Sequence, residues 1–272
     1  MKKSQIIAII VGVVAVAILF SLPRVVVDND EGGAQITESD QSEPSNQVGM
    51  HEAEVDESTK SNINSLLAKL ETEDNKEKFV TFADSIASLY YQASKYDSAA
   101  FYYERALEKT TDLERLEKTG NAYYEAYTFA LDEKKIARLA EKTRSYLNQV
   151  LEKDPKRLDL KTKVAMTYVS SSNPMQGITM LREILEADPK NEDALFNMGA
   201  LSMQSGQYNR AAERFEELVQ YHPDNLQGQF YLAVSYFESK QTNKSKRQFE
   251  KVKGMTTDQM ILSSIESYLE RL

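Results

Sequence analysis

The stretch DPKNEDALFNMGALSMQSGQYNRAAERFEELVQYHPDN, from Asp188 to Asn225, decides the fold. A prolyl pair stands near each end, Asp188-Pro189 and His222-Pro223, and the two are 34 residues apart. Between them Leu195, Met198 and Gly199 fall on one helical face, and beyond the break at Gly206 so do Ala211, Phe215 and Leu218. The reading is two helices, a turn between them and a proline that closes the unit. Such a hairpin cannot bury its apolar faces alone, so its neighbours in sequence should carry the same pattern.

Working outward, Asp154-Pro155 stands 34 residues before Asp188-Pro189. Gly177, Ala211 and Ser245 form a series of small residues at the same spacing, and Leu181, Phe215 and Phe249 form a series of large ones four positions later. Val164-Ala165, Met198-Gly199 and Leu232-Ala233 form a third series. Small residues are expected where two helices approach most closely, with the bulky ones filling the space beside them. No run of alternating residues between Gly/Pro turns argues for strands beyond Asn75, so the fold is read as all-α.

These residues carry a resemblance. The order Leu195, Met198-Gly199, Gly206, Tyr208, Ala211, Phe215, Pro223 resembles the tetratricopeptide repeat family, and so does Ile86-Ala87, Tyr90, Tyr96, Ala99, Tyr103, Ala106-Leu107. The resemblance implies a right-handed superhelical solenoid of helix-turn-helix units at about 80–113, 114–157, 158–191, 192–225 and 226–259. The second unit departs from the pattern: Gly120 and Tyr123 fit, but Val150-Leu151 and Pro155 arrive about ten residues late, which implies two helices each lengthened by more than a turn. Ser58–Leu70, with Ile63, Leu66 and Leu67, and Thr257–Leu272, with Met260, Ile261, Ile265, Tyr268 and Leu269, are expected to cap the two ends.

The first 57 residues have a different composition. Ile6–Leu22 is a run of seventeen uncharged residues between Lys2-Lys3 and Pro23-Arg24, read as an N-terminal transmembrane signal-anchor within 1–23. The two lysines place the N-terminus in the cytoplasm and the body outside it, periplasmic if the cell is bacterial. Ala15-Val16-Ala17 also fits a cleavable signal peptide, although cutting there would expose Ile18, Leu19 and Phe20. Residues 24–57 are acidic and poor in apolar side chains, as a disordered linker is, and they leave 58–272 as the folded body.

Charge and residue usage narrow the function. Up to Asn75 there are 5 Lys/Arg against 13 Asp/Glu, and after it 28 against 29, so the body is nearly neutral. It lacks the basic field that nucleic-acid binding needs. There is no cysteine, and neither His51 nor His222 sits in a metal-ligand spacing. No phosphate loop, nucleophile elbow or dinucleotide turn occurs. No catalytic residue, cofactor or metal is therefore expected, and the chain is read as a protein-binding scaffold and not an enzyme.

Partner contact is expected on the first helices of the units, which the resemblance places on the concave wall. Register puts Met166, Val169, Phe196, Met203, Phe230 and Phe237 there as an apolar strip, with Tyr91 and Tyr124 at the N-terminal end. A shift of one position would instead bury these side chains between helices. Asn121 alone resembles the clamp by which some family members hold a terminal carboxylate; Thr162, Met166, Phe196 and Ala200 stand where its polar and basic groups would be, so mainly apolar contacts are expected. The candidate roles are a membrane scaffold in envelope assembly or protein maturation, a self-associating envelope protein, and a non-catalytic regulatory subunit.

Overall fold

The computed structural model describes residues 55–272; the expected transmembrane segment and most of the expected linker lie outside them. The described residues form twelve helices and no strand. They are α1 (Glu57–Glu71), α2 (Lys76–Gln92), α3 (Tyr96–Leu107), α4 (Leu113–Thr128), α5 (Glu133–Lys153) and α6 (Leu158–Val169). They continue as α7 (Pro174–Ala187), α8 (Glu192–Gln204), α9 (Tyr208–Tyr221), α10 (Leu226–Glu238), α11 (Thr242–Lys253) and α12 (Gln259–Leu269). Among them, no helix is long and apolar enough to cross a membrane.

Local chemistry sets the boundaries. Asp56, Asn75, Asp112, Asp132, Asn191, Asn225 and Asp258 each cap a helix by accepting a hydrogen bond from a first-turn backbone N–H. Three of the five turns between paired helices reverse the chain through one residue in the left-handed region, at Ser94, Gly206 and Lys240. Gly206 has φ 72°, and Lys240, 34 residues later, holds φ 63° without the freedom of glycine.

Helices α2–α3, α4–α5, α6–α7, α8–α9 and α10–α11 are the five hairpins, and each packs on the next through its second helix. The size series account for the nesting. Phe215 and Phe249 are fully buried, and a Cβ on Gly199 would lie 2.7 Å from the Phe215 ring. A side chain on Gly177 would collide with the Ala165 carbonyl oxygen and, at 2.7 Å, with Val169 Cγ2. Ser245, the third of the small series, is buried and donates its hydroxyl to the Ala233 carbonyl at 3.0 Å, which satisfies the one polar atom the approach encloses.

The second unit is enlarged unevenly. Relative to α8 and α9, of 13 and 14 residues, α4 has 16 and α5 has 21, so α4 gains 3 residues, less than a turn, and α5 gains 7. That corrects the expectation of two helices each longer by more than a turn. At the ends, α1 buries Ile63 and Leu70 against Phe79, Val80 and Ala83 of α2. At the other end, α12 buries Ile265 and lays Tyr268 on the Phe249 ring at 5.0 Å.

Candidate protein-interaction face

First helices α6, α8 and α10 approach one another more closely than the second helices do. The array therefore curves with its first helices on the inside. Polar bonds between first helices mark this inner face. Arg157, just before α6, makes a two-pronged contact with Glu117 of α4 at 2.8 and 2.7 Å. Lys163 of α6 donates to Asn121 Oδ1 at 2.7 Å, and its ammonium lies 5.4 Å from the centre of the Tyr124 ring. The Tyr127 hydroxyl donates to the Met166 carbonyl at 3.0 Å and shares a 2.5 Å hydrogen bond with Ser170.

Lys163, with Arg157 already paired to Glu117, has acids around it. Glu125 and Asp193 both have carboxyls held above the usual range by burial, and Lys163 works in the other direction on each. Asp159 and Glu192 add negative charge near Asp193. Burial likewise pushes the Tyr124 phenol up, with Tyr127 and Glu125 contributing. With its ammonium taken by Asn121 and Tyr124 and several carboxyls around it, the site disfavours a terminal carboxylate and suits a neutral or cationic segment. Among the described residues no cluster of three or more His, Asp or Glu is gathered to hold a metal ion.

The structure separates the expected binding residues. Tyr124 and Met166 are both half-buried and are linked through Tyr127, whose ring lies 5.7 Å from that of Tyr124 and whose hydroxyl donates to the Met166 main-chain carbonyl; Met166 also packs against the Ala165, Leu181, Ile184 and Ala194 cluster. Phe196, Phe230 and Phe237 belong to an aromatic ladder in the C-terminal half. Phe196 meets the edges of Phe215 and Tyr231 at 5.8 and 5.7 Å, and Phe230 contacts Phe249 at 5.9 Å. Phe237 contacts Tyr268 at 5.1 Å, with the Arg271 guanidinium over its ring. Phe230 and Met203, 8% and 7% exposed, are committed to the core. Val169 is half-buried and covers Gly177. Tyr91 lies apart at the turn between α2 and α3, edge-on to Tyr96 at 5.1 Å, and burial raises its phenol to about 12.

Register explains the separation. Thr162, the counterpart of Phe196 and Phe230, is buried and donates its hydroxyl to the Leu158 carbonyl, while Lys163, one residue on, faces the inner surface. Lys163 and Glu125 are the inner-face residues that the strip reading passed over. Their signal in the sequence was a charged residue one position from the assumed wall.

Residues 202–259 match the family model described as Tetratricopeptide repeat. A crystal structure of a tetratricopeptide repeat protein from Parabacteroides merdae superposes with a TM-score of 0.58 at 19% identity, covering 78% of this chain and 79% of that one. A thermophilic TPR protein of Thermus thermophilus gives 0.51 at 15% identity, covering 70% of this chain and 98% of that one. Both likenesses concern the fold. No curated protein sequence matches the chain.

Proposed function

We propose that the chain is a membrane-anchored scaffold that holds polypeptide partners on the inner face of its solenoid, outside the cytoplasm, in envelope assembly or protein maturation. The observation that carries this reading is the inner face of α4, α6 and α8, where Tyr124 and Met166 lie half-buried beside Asn121, Lys163 and Asp193. Partly exposed apolar side chains next to polar ones are what an extended or helical peptide requires. The uncharged run Ile6–Leu22 supports the anchor, and Lys2-Lys3 supports the orientation. The face is read as a binding surface on the strength of its side chains alone.

Two measurements test it. Protease added to intact cells after outer-barrier permeabilisation should remove the body and leave a membrane-embedded N-terminal fragment; full protection of the body contradicts the orientation. Chemical crosslinking of the full chain in its native membranes should yield discrete adducts that Tyr124→Ala with Met166→Ala abolishes; adducts that persist unchanged contradict the assigned face.

A further inference from the structure

Four junctions join the five hairpins, and three are braced by polar side chains. Between the first and second hairpins, Glu104 of α3 accepts from the Tyr123 hydroxyl, from Tyr146 at 2.5 Å and from Lys142 at 2.5 Å. Arg115 of α4 also reaches back to Asp84 of α2 at 3.1 Å. Between the second and third, Arg157–Glu117, Lys163–Asn121 and Tyr127–Ser170 cross the junction, and Arg144 donates to the Thr167 carbonyl while its guanidinium covers the Tyr168 ring at 4.7 Å. Between the fourth and fifth, Glu216 accepts from the Tyr236 hydroxyl at 2.5 Å and from Lys244 at 3.4 Å, and Lys244 lies 4.9 Å from the Tyr236 ring centre.

Between the third hairpin, α6–α7, and the fourth, α8–α9, no side-chain hydrogen bond or ion pair joins helix to helix among the described residues; the polar contacts there come from the connector, where the Lys190 ammonium lies 5.3 Å from the Tyr221 ring centre and the Lys190 carbonyl meets His222 Nε2 at 2.6 Å, and from the longer-range pull of Lys163 on Asp193. The helices that meet there, α7 and α8, also have the sparsest contact of any consecutive hairpins. What joins them is apolar: Leu181 and Ile184 against Ala194, with Met180, Leu185, Met198 and Leu201 around them.

The repeat shows why the brace is missing. Counting 34 residues back from Glu216, Tyr236 and Lys244 gives Arg182, Ser202 and Arg210. An arginine stands where the acceptor would be and a serine where the phenol would be, so the Glu–Tyr–Lys contact cannot form. Apolar packing is non-directional, and methionine and alanine refill a changed interface more readily than hydrogen-bonded partners do. Charge-assisted hydrogen bonds, by contrast, fix relative orientation.

We infer that the solenoid hinges between its third and fourth hairpins: α1–α7 and α8–α12 move as two rigid blocks about the α7–α8 contact. The inner face spans this junction, with Lys163 and Met166 on one block and Asp193 on the other, so hinging widens or narrows the face a partner meets.

The chain has no cysteine, so pairs of introduced cysteines can be spin-labelled cleanly. Distances are read by double electron-electron resonance on the full chain in detergent. One pair, Glu186→Cys with Glu213→Cys, crosses the hinge; a second, Glu213→Cys with Arg247→Cys, crosses the braced junction after it, and all three positions are exposed. The hinge predicts a distance distribution about twofold wider for the first pair than for the second. Equal widths overturn it. Grafting the brace with Arg182→Glu, Ser202→Tyr and Arg210→Lys should narrow the first distribution to that of the second. A graft that folds, by an unchanged second distribution, and leaves the first one broad removes the missing brace as the cause and overturns the assignment.

Discussion

The two halves of the solenoid hold their hairpins together by different means. In α2–α7 the junctions are polar: Glu104 gathers two phenols and an ammonium, Arg115 bridges Asp84 and Asp112, and Arg157 bridges Glu117 and Asp159. In α8–α12 a continuous aromatic ladder stands beside the single Glu216–Tyr236–Lys244 contact: Phe196, Phe215, Tyr231, Phe230, Phe249 and Tyr268 run in ring contact from the fourth hairpin to the cap. The difference teaches that the repeat fixes where helices meet but leaves open what they meet with. Aromatic packing resists changes of pH and salt, whereas carboxylate-centred contacts answer to both.

The largest effect should come from breaking the aromatic half. Phe215→Ala removes a fully buried ring that touches Gly199, Phe196 and Tyr231, at a cost of about 3 to 5 kcal/mol. Hydrogen exchange followed by mass spectrometry should show α8–α11 losing protection while α2–α5 keep theirs; uniform loss would mean that the halves do not differ.

A smaller effect should follow in the polar half. Glu104→Ala strands two tyrosine hydroxyls and the Lys142 ammonium, at a cost of about 1 to 3 kcal/mol. Burial opposes ionisation of Glu104, but the hydrogen bonds from Lys142, Tyr123 and Tyr146 outweigh it and hold the carboxyl below its ordinary value of 4.5. A depressed carboxyl stabilises the fold above its unfolded value and loses that contribution as pH falls through the folded one. In urea titrations the variant should therefore trail the parent at pH 7 and converge with it as the solution is acidified below 4.5. A gap that is constant with pH contradicts the brace.

The smallest effect sharpens the comparison at the turns. Lys240 keeps the left-handed backbone that Gly206 supplies freely 34 residues earlier, so Lys240→Gly should stabilise the fifth hairpin by up to about 1 kcal/mol, seen as a higher melting midpoint. A lower midpoint would mean that the Lys240 side chain carries more than its backbone costs.

The sequence made the hairpins legible because nesting needs size at fixed spacing. Gly177, Ala211 and Ser245 against Leu181, Phe215 and Phe249 located the closest approaches, and the buried residues are those. The two caps were legible from the 3.6-residue period of Ile63, Leu67 and Leu70 and of Ile261, Ile265 and Leu269. The inner face was less so. One residue turns a helix by about 100°, and a strip argued from aromatics at Phe196 and Phe230 drifts toward the core because that is where aromatics gain most by burial. The length added to α5 was hidden for another reason: the late Pro155 counts extra residues without assigning them to either helix.

The inner face of α4, α6 and α8 is the central claim, and a photo-crosslinking amino acid tests it where it stands. Placed in the full chain at Met166, on the inner face, it should capture polypeptide on illumination of native membranes; placed at Glu186, exposed on α7, it should not. Capture at Glu186 with none at Met166 would put the partner on the outer side of the solenoid and contradict the account.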